Sequence, residues 1–247
     1  MAIDVVTALI AIGMVFLIHI PQPPVTITQG APVSILRDLR TGFLYIWRWP
    51  ALFMTLLMSS VLNFLMNPAF ALLPILVLRH FRGDALLLAT LNTTLGVGFV
   101  AGGLILGTWG GFKRRVYTAV WGLAAMSIGT LLIGLAPADG FWVAVVGMGL
   151  FGVFNTISNG SFFAILQAVV APEMQGRFFT VMMSMAQAMT PLGLLIAGPV
   201  SDHFGVQLWY LVATVSILAM SAVILLTPSI MRIEDHRTPQ PEVVTVE

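Results

Sequence analysis

Long apolar runs alternate with short polar breaks along this chain, and the length of the runs sets the fold class. Seven stretches almost free of charge read as spans, at about 3–20, 51–78, 85–106, 116–136, 141–170, 178–200 and 208–226. A bilayer core about 30 Å thick takes roughly 20 residues of helix. Strict alternation of apolar and polar residues is missing, so the spans are helices rather than strands of a barrel. The pattern therefore predicts an all-α membrane protein with seven transmembrane helices. The second and fifth runs exceed a perpendicular crossing, which implies tilt or a helix that continues past the membrane surface.

The breaks divide the chain further. After the first span, Pro21, Pro23 and Pro24 open a polar linker. Within that linker Ile35, Leu36, Leu39, Phe43, Ile46 and Trp47 recur at helical spacing, opposite Arg37, Asp38, Arg40, Thr41 and Arg48. This predicts an amphipathic helix, resting either on lipid or on the protein itself. The turn Pro137-Ala-Asp-Gly140 splits the remaining six helices into two threes, the plan of an inverted repeat. The expected segments are a helix at 1–20, a cytoplasmic linker at 21–49, a six-helix bundle at 50–228 and a polar tail at 229–247.

Composition narrows the chemistry. Hydrophobic residues make up 58% of the chain and charged ones 9%, against roughly a quarter charged in soluble domains. Eleven Lys and Arg oppose ten Asp and Glu, a net charge of +1 that leaves no footprint for nucleic acid. The absence of cysteine excludes disulfides, thiolate metal sites and a thiol nucleophile. His19, His80, His203 and His236 are dispersed, so neither a metal site nor another cofactor is expected. No H-E-x-x-H and no buried charged pair suggest an enzyme.

Cations sort to one side of the membrane. With the first helix starting outside, Arg37, Arg40, Arg48, Lys113, Arg114, Arg115, Arg177, Arg232 and Arg237 share one set of loops, and only Arg79 and Arg82 fall in the other. The positive-inside rule then predicts an outer N-terminus and a cytoplasmic C-terminus. Met-Ala-Ile-Asp at an outer surface lacks the basic region of a signal peptide, which suggests that helices precede it.

Amides within the spans point to a cavity. Asn63 and Asn67 lie on the first of the six bundle helices, Asn92 on the second, Asn155, Asn159 and Gln167 on the fourth, and Gln187 on the fifth. The third and sixth have none. Since an amide facing lipid is costly, four helices are expected to line a polar space through Asn63, Asn67, Asn92, Asn155, Asn159 and Gln187, with two helices peripheral. Hydrogen bonding between helices is the competing role for each amide. Gly98 with Gly102, and Gly103 with Gly107, have the spacing that lets helices approach closely. Pro68, Pro74 and Pro191 each permit a bend.

Several motifs together resemble one family. Gly103-Leu-Ile-Leu-Gly107-Thr-Trp-Gly110-Gly-Phe-Lys113-Arg114-Arg115 is similar to the glycine-plus-basic turn between helices eight and nine of the major facilitator superfamily. The run from Leu36 to Pro50 resembles the approach to helix seven in its enterobactin-exporter and macrolide-efflux branch. Ala171-Pro-Glu-Met-Gln-Gly-Arg177 is similar to the turn after helix ten, and Gly198-Pro-Val-Ser-Asp-His-Phe-Gly205 to the end of helix eleven. The resemblance implies helix six, the central linker and helices seven to twelve of a twelve-helix transporter, with seven, eight, ten and eleven facing the cavity. It implies efflux of small amphipathic solutes across the plasma membrane. One departure is Gly107, where the family's turn usually carries Asp, so Lys113, Arg114 and Arg115 are expected to hold the loop in the cytoplasm.

Other readings are weaker. A retinal protein needs a lysine in its last helix, and Lys113 is the only lysine of the chain. A receptor would have to accommodate the long first inner loop. The main rival is a truncated, non-transporting membrane protein, or a subunit that needs an N-terminal half as partner. No Asp or Glu falls at mid-depth in the six bundle helices, so proton-driven transport by this chain alone is not expected.

Overall fold

A computed structural model describes residues 49–232, together with Gly13, Leu44, Ile46, Trp47 and Glu234. The chain divides into two compact units, Met1–Ile35 and Leu36–Glu247, and the second holds everything described below. The span expected at 3–20, most of the linker and the tail beyond Arg232, Glu234 excepted, lie outside the described residues.

Among the described residues, six long apolar helices make an all-α membrane bundle. They are α1 (Pro50–Ala71), α2 (Ala85–Trp109), α3 (Arg115–Leu135), α4 (Phe141–Val169), α5 (Pro172–Phe204) and α6 (Gln207–Leu226). A further single turn follows at Pro228–Met231.

Two helices differ from the hydropathy pattern, for reasons of backbone chemistry. The run expected at 51–78 is not one regular helix: α1 stops at Ala71, resumes over Leu73–Ile75 and continues as a π-helical turn over Leu76–His80. Pro68 and Pro74 have no N–H to donate, and the chain makes up the missing turn by closing a wider one, Phe81 N–H to Leu76 O at 3.3 Å. Helix α5 starts well before the apolar run expected at 178–200, because Pro172 occupies its first turn, where a missing N–H costs nothing. Glu173 and Arg177, expected in a turn, are therefore helical.

Neighbouring helices pack in the order α2, α4, α3, α6, α1, α5. Exchanging α1 with α4, α2 with α5 and α3 with α6 leaves that set of pairs unchanged. Since α1 and α4 run in opposite directions, the bundle has the packing plan of an inverted repeat. Sequence self-similarity does not reveal it; packing does.

Helix α3 is the most enclosed of the six, and α2 and α5 the least. Small residues account for the enclosure. A Cβ at Gly98 would lie 2.5 Å from Gly149 O, and one at Gly102 would collide with Val153 O, so α2 rests backbone to backbone on α4. Gly129 and Gly147 bring α3 equally close to α4. Between α3 and α6 the Thr130 and Thr214 hydroxyls are 2.8 Å apart and buried.

Candidate solute cavity

At one end of the bundle lie the α2–α3 turn, the start of α5 and the single turn Pro228–Met231. This end carries Lys113, Arg114, Arg115 and Arg177. At the other end Arg79 pairs with Asp202 at 3.2 Å, and the His80 ring is hydrogen-bonded to Ala136 O at 2.9 Å and to the Gln207 amide. Those contacts tie the π-helical turn Leu76–His80 to the end of α3, to α5 and to α6.

A cavity of about 440 Å3 opens in the half of the bundle nearer the basic end, walled by α1, α3, α4, α5 and α6. Its polar wall begins on α1. Thr55, Ser59, Asn63 and Asn67 follow one another at intervals of four, so they share a face. Each group is partly satisfied along its own helix: Ser59 donates to Thr55 O at 2.9 Å, and Asn63 Nδ2 to Ser59 O at 2.9 Å. Asn67 reaches further, its Nδ2 donating to the Thr190 hydroxyl of α5 at 2.8 Å.

The second polar patch is on α4, the helix equivalent to α1 under the inverted packing plan. Asn155 Nδ2 lies 3.4 Å from the Met126 sulfur on α3, and Asn159 Nδ2 donates to Asn155 O at 3.1 Å. Both amide oxygens remain able to accept from a solute. Among the described residues, no Asp, Glu, Lys, Arg or His lines the cavity.

The rest of the wall is soft and apolar. Met58, Met66, Met126, Met182, Met183 and Met220 line it. Phe70 and Phe151, with ring centroids 4.5 Å apart, bound it on the side away from the basic end. Methionine is unbranched and polarizable and can repack around differently shaped apolar bodies. At the basic end Ile230 closes the lining, and the tail is held there by Glu234, whose Oε1 accepts from Arg115 N–H at 3.0 Å. A carboxylate at a helix N-terminus is favourably placed.

Of the six amides singled out from the sequence, Asn63, Asn67, Asn155 and Asn159 thus converge on one space. Asn92 and Gln187 do not. Asn92 is exposed on α2 and donates to its own helix at Leu88 O, 3.1 Å away, and Gln187 is exposed on α5. Conversely α3 and α6, which lack amides, contribute Leu123, Met126 and Met220 to the wall. An amide census finds polar lining and misses apolar lining. The ladder of four on α1 extends the Asn63 and Asn67 pair backwards, and that signal was present in the sequence.

The glycine-plus-basic turn is resolved in its parts. Gly98 and Gly102 make the α2–α4 contact, whereas Gly103 and Gly107 face outward, and nothing lies within 4 Å of a Cβ built at Gly107. Gly110 ends α2 with φ 73° and Gly111 follows at φ 79°, a left-handed pair that reverses the chain. A Cβ at Gly111 would lie 2.7 Å from the Thr118 hydroxyl, which accepts from Phe112 N–H at 2.8 Å. Lys113 and Arg114 are thereby presented at the surface.

No protein-family model matches the chain, and no solved structure does. Among curated proteins it is similar to macrolide efflux protein A of Streptococcus pyogenes, 28% identical over 222 residues, which are 90% of this chain and 55% of that protein. The macrolide efflux protein A of Enterococcus faecalis is 28% identical over 193 residues, 78% of this chain and 59% of that protein. The multidrug efflux pump Tap of Mycobacterium tuberculosis is 31% identical over 143 residues, 55% of this chain and 33% of that protein. The chain spans about half the length of the macrolide efflux proteins that it matches. These relatives are named as efflux proteins, and the chain, which is similar to them in sequence, is a multi-pass membrane protein.

Proposed function

We propose that this bundle is one half of an efflux transporter of the major facilitator type, and that the cavity between α1 and α4 binds small amphipathic solutes on their way across the membrane. The observation that carries this reading is the lining: four amides and, among the described residues, no charge, set among methionines and phenylalanines near the midpoints of the helices. A bulky, largely apolar solute with ether, ester or hydroxyl groups finds donors and acceptors there while its body packs against side chains that can adjust. The names of the relatives point the same way.

Alternating access needs a second bundle against which this one can rock. The least enclosed helices, α2 and α5, are the pair related by the inverted packing plan, and their outer faces carry small and polar residues. On α2 these are Ala89, Asn92, Gly103 and Gly107, and on α5 Thr180, Ser184, Gln187 and Ala188, all exposed. Small residues suit a helix interface better than they suit lipid contact. The second bundle would pack there, whether it is carried by the same polypeptide or by another. The basic end faces the cytoplasm in this reading, so the cavity would load from inside.

The test is transport of a fluorescent macrolide into inverted vesicles under an imposed pH gradient. Gradient-driven uptake is expected when the chain is combined with a partner that supplies helices one to five, and not with the chain alone. Asn63→Leu and Asn155→Leu should each raise the solute concentration needed for half-maximal uptake. Equal uptake by wild type and by both variants would sink the assignment of the cavity.

A further inference from the structure

A second concavity lies on the outer wall of the bundle, outside the cavity, where the α2–α3 turn meets α3. Phe112, Lys113, Arg114, Tyr117 and Trp121 line a groove of about 400 Å3. Its depth in the membrane follows from α3. At 1.5 Å per residue the 21 residues of this helix span about 31 Å, close to the thickness of the hydrocarbon core, so its first residue sits at one surface. Tyr117 and Trp121 then lie about 3 and 9 Å below that residue. Their spacing of four sets one under the other on a single face, and they are 40% and 61% exposed.

The groove is thus cationic at its mouth and aromatic along its floor. Lys113 is exposed and has no carboxylate within salt-bridge range among the described residues. Glu234, which reaches this end from the tail, is committed to Arg115 N–H. Phe112 stands edge-on to Trp109, with ring centroids 4.9 Å apart, and forms one side of the groove.

A ligand that satisfies both parts carries a negative charge at headgroup depth and an apolar chain below it. A zwitterionic lipid offers no net charge to Lys113 and Arg114, and a free anion leaves the aromatic floor uncovered. We propose that this groove binds an anionic phospholipid, its phosphate at Lys113 and Arg114 and an acyl chain along Tyr117 and Trp121. Lys113 alone, near a membrane surface, gives a preference of roughly fivefold for the anionic lipid over the zwitterionic one.

The experiment is native mass spectrometry of the purified full chain released from mixed vesicles of phosphatidylglycerol and phosphatidylcholine. Wild type should retain phosphatidylglycerol in preference to phosphatidylcholine, and raising the salt should reduce that preference. Lys113→Gln with Arg114→Gln should abolish it, and Tyr117→Leu with Trp121→Leu should weaken retention of both lipids at this site. Arg82→Gln, at the opposite end of the bundle, should leave it unchanged. Inorganic phosphate should not displace the lipid. Equal retention of the two lipids by wild type, insensitivity to salt, full displacement by phosphate, or wild-type preference in the doubly neutralised variant would each overturn the proposal.

Discussion

Two spatial groups of three helices, α2–α4–α3 and α5–α1–α6, share one packing plan and differ in how their helices are joined. In α2, α3 and α4, Gly98, Gly102, Gly129 and Gly147 bring backbones into direct contact. In α5, α6 and α1 such closeness occurs at Gly193, where a Cβ would lie 2.9 Å from Phe64 O, and the neighbouring link is the hydrogen bond from Asn67 to Thr190. Prolines cluster on this second side: Pro68 within α1, Pro74 before its π turn, and Pro191 and Pro199 within α5. Backbone contact resists sliding because no side chain can yield, whereas one side-chain bond beside a proline can be exchanged for a bond to a solute. The cavity lies between a stiff wall and a compliant one, and Asn67 belongs to both the cavity and the compliant joint.

The largest effect should come from breaking the stiff side. Gly102→Leu forces a side chain into Val153 O and should destabilise the bundle by about 3 kcal/mol or more, read as a lowered unfolding midpoint in detergent. Gly107→Leu, on the open face of the same helix, should leave that midpoint nearly unchanged. Equal effects of the two would erase the distinction between packed and unpacked glycines.

On the compliant side the expected change is smaller. Asn67→Ala and Thr190→Val should each cost about 1 kcal/mol, and the double variant little more than either. That coupling, measured by a double-mutant cycle, isolates the α1–α5 bond. Additive losses would place the two residues in unrelated environments.

The end contacts should matter least. Arg79 and Asp202 are 68% and 69% exposed, so solvent screens their pair. Replacing them with Gln and Asn should shift stability by no more than about 0.5 kcal/mol. A larger loss would make this end, rather than the Gly193 contact and the Asn67–Thr190 bond, the main clamp on α5.

The helices were legible because an apolar run of about 20 residues has few alternatives in a membrane. Their ends were less so. Hydropathy cannot register that Pro172 starts α5 or that Pro68 and Pro74 interrupt the first span, since both depend on which N–H groups exist. The cavity lining was legible in part. Asn63, Asn67, Asn155 and Asn159 are costly to expose to lipid and line the cavity, but the same cost argument applies to Asn92 and Gln187, which sit on faces that the other described residues leave uncovered. Polarity shows that a side chain avoids lipid. It does not show whether a cavity or another helix receives it.

The difference between Asn63 and Asn92 therefore gives the most direct test. The chain has no cysteine, so Asn63→Cys and Asn92→Cys each introduce a single reactive thiol. In the full chain reconstituted in nanodiscs, the rate of maleimide labelling is measured with and without a saturating macrolide. The account predicts that the solute slows labelling at position 63 severalfold, as cavity occupancy should, and leaves position 92 unaffected. Protection at position 92, or none at position 63, would contradict it.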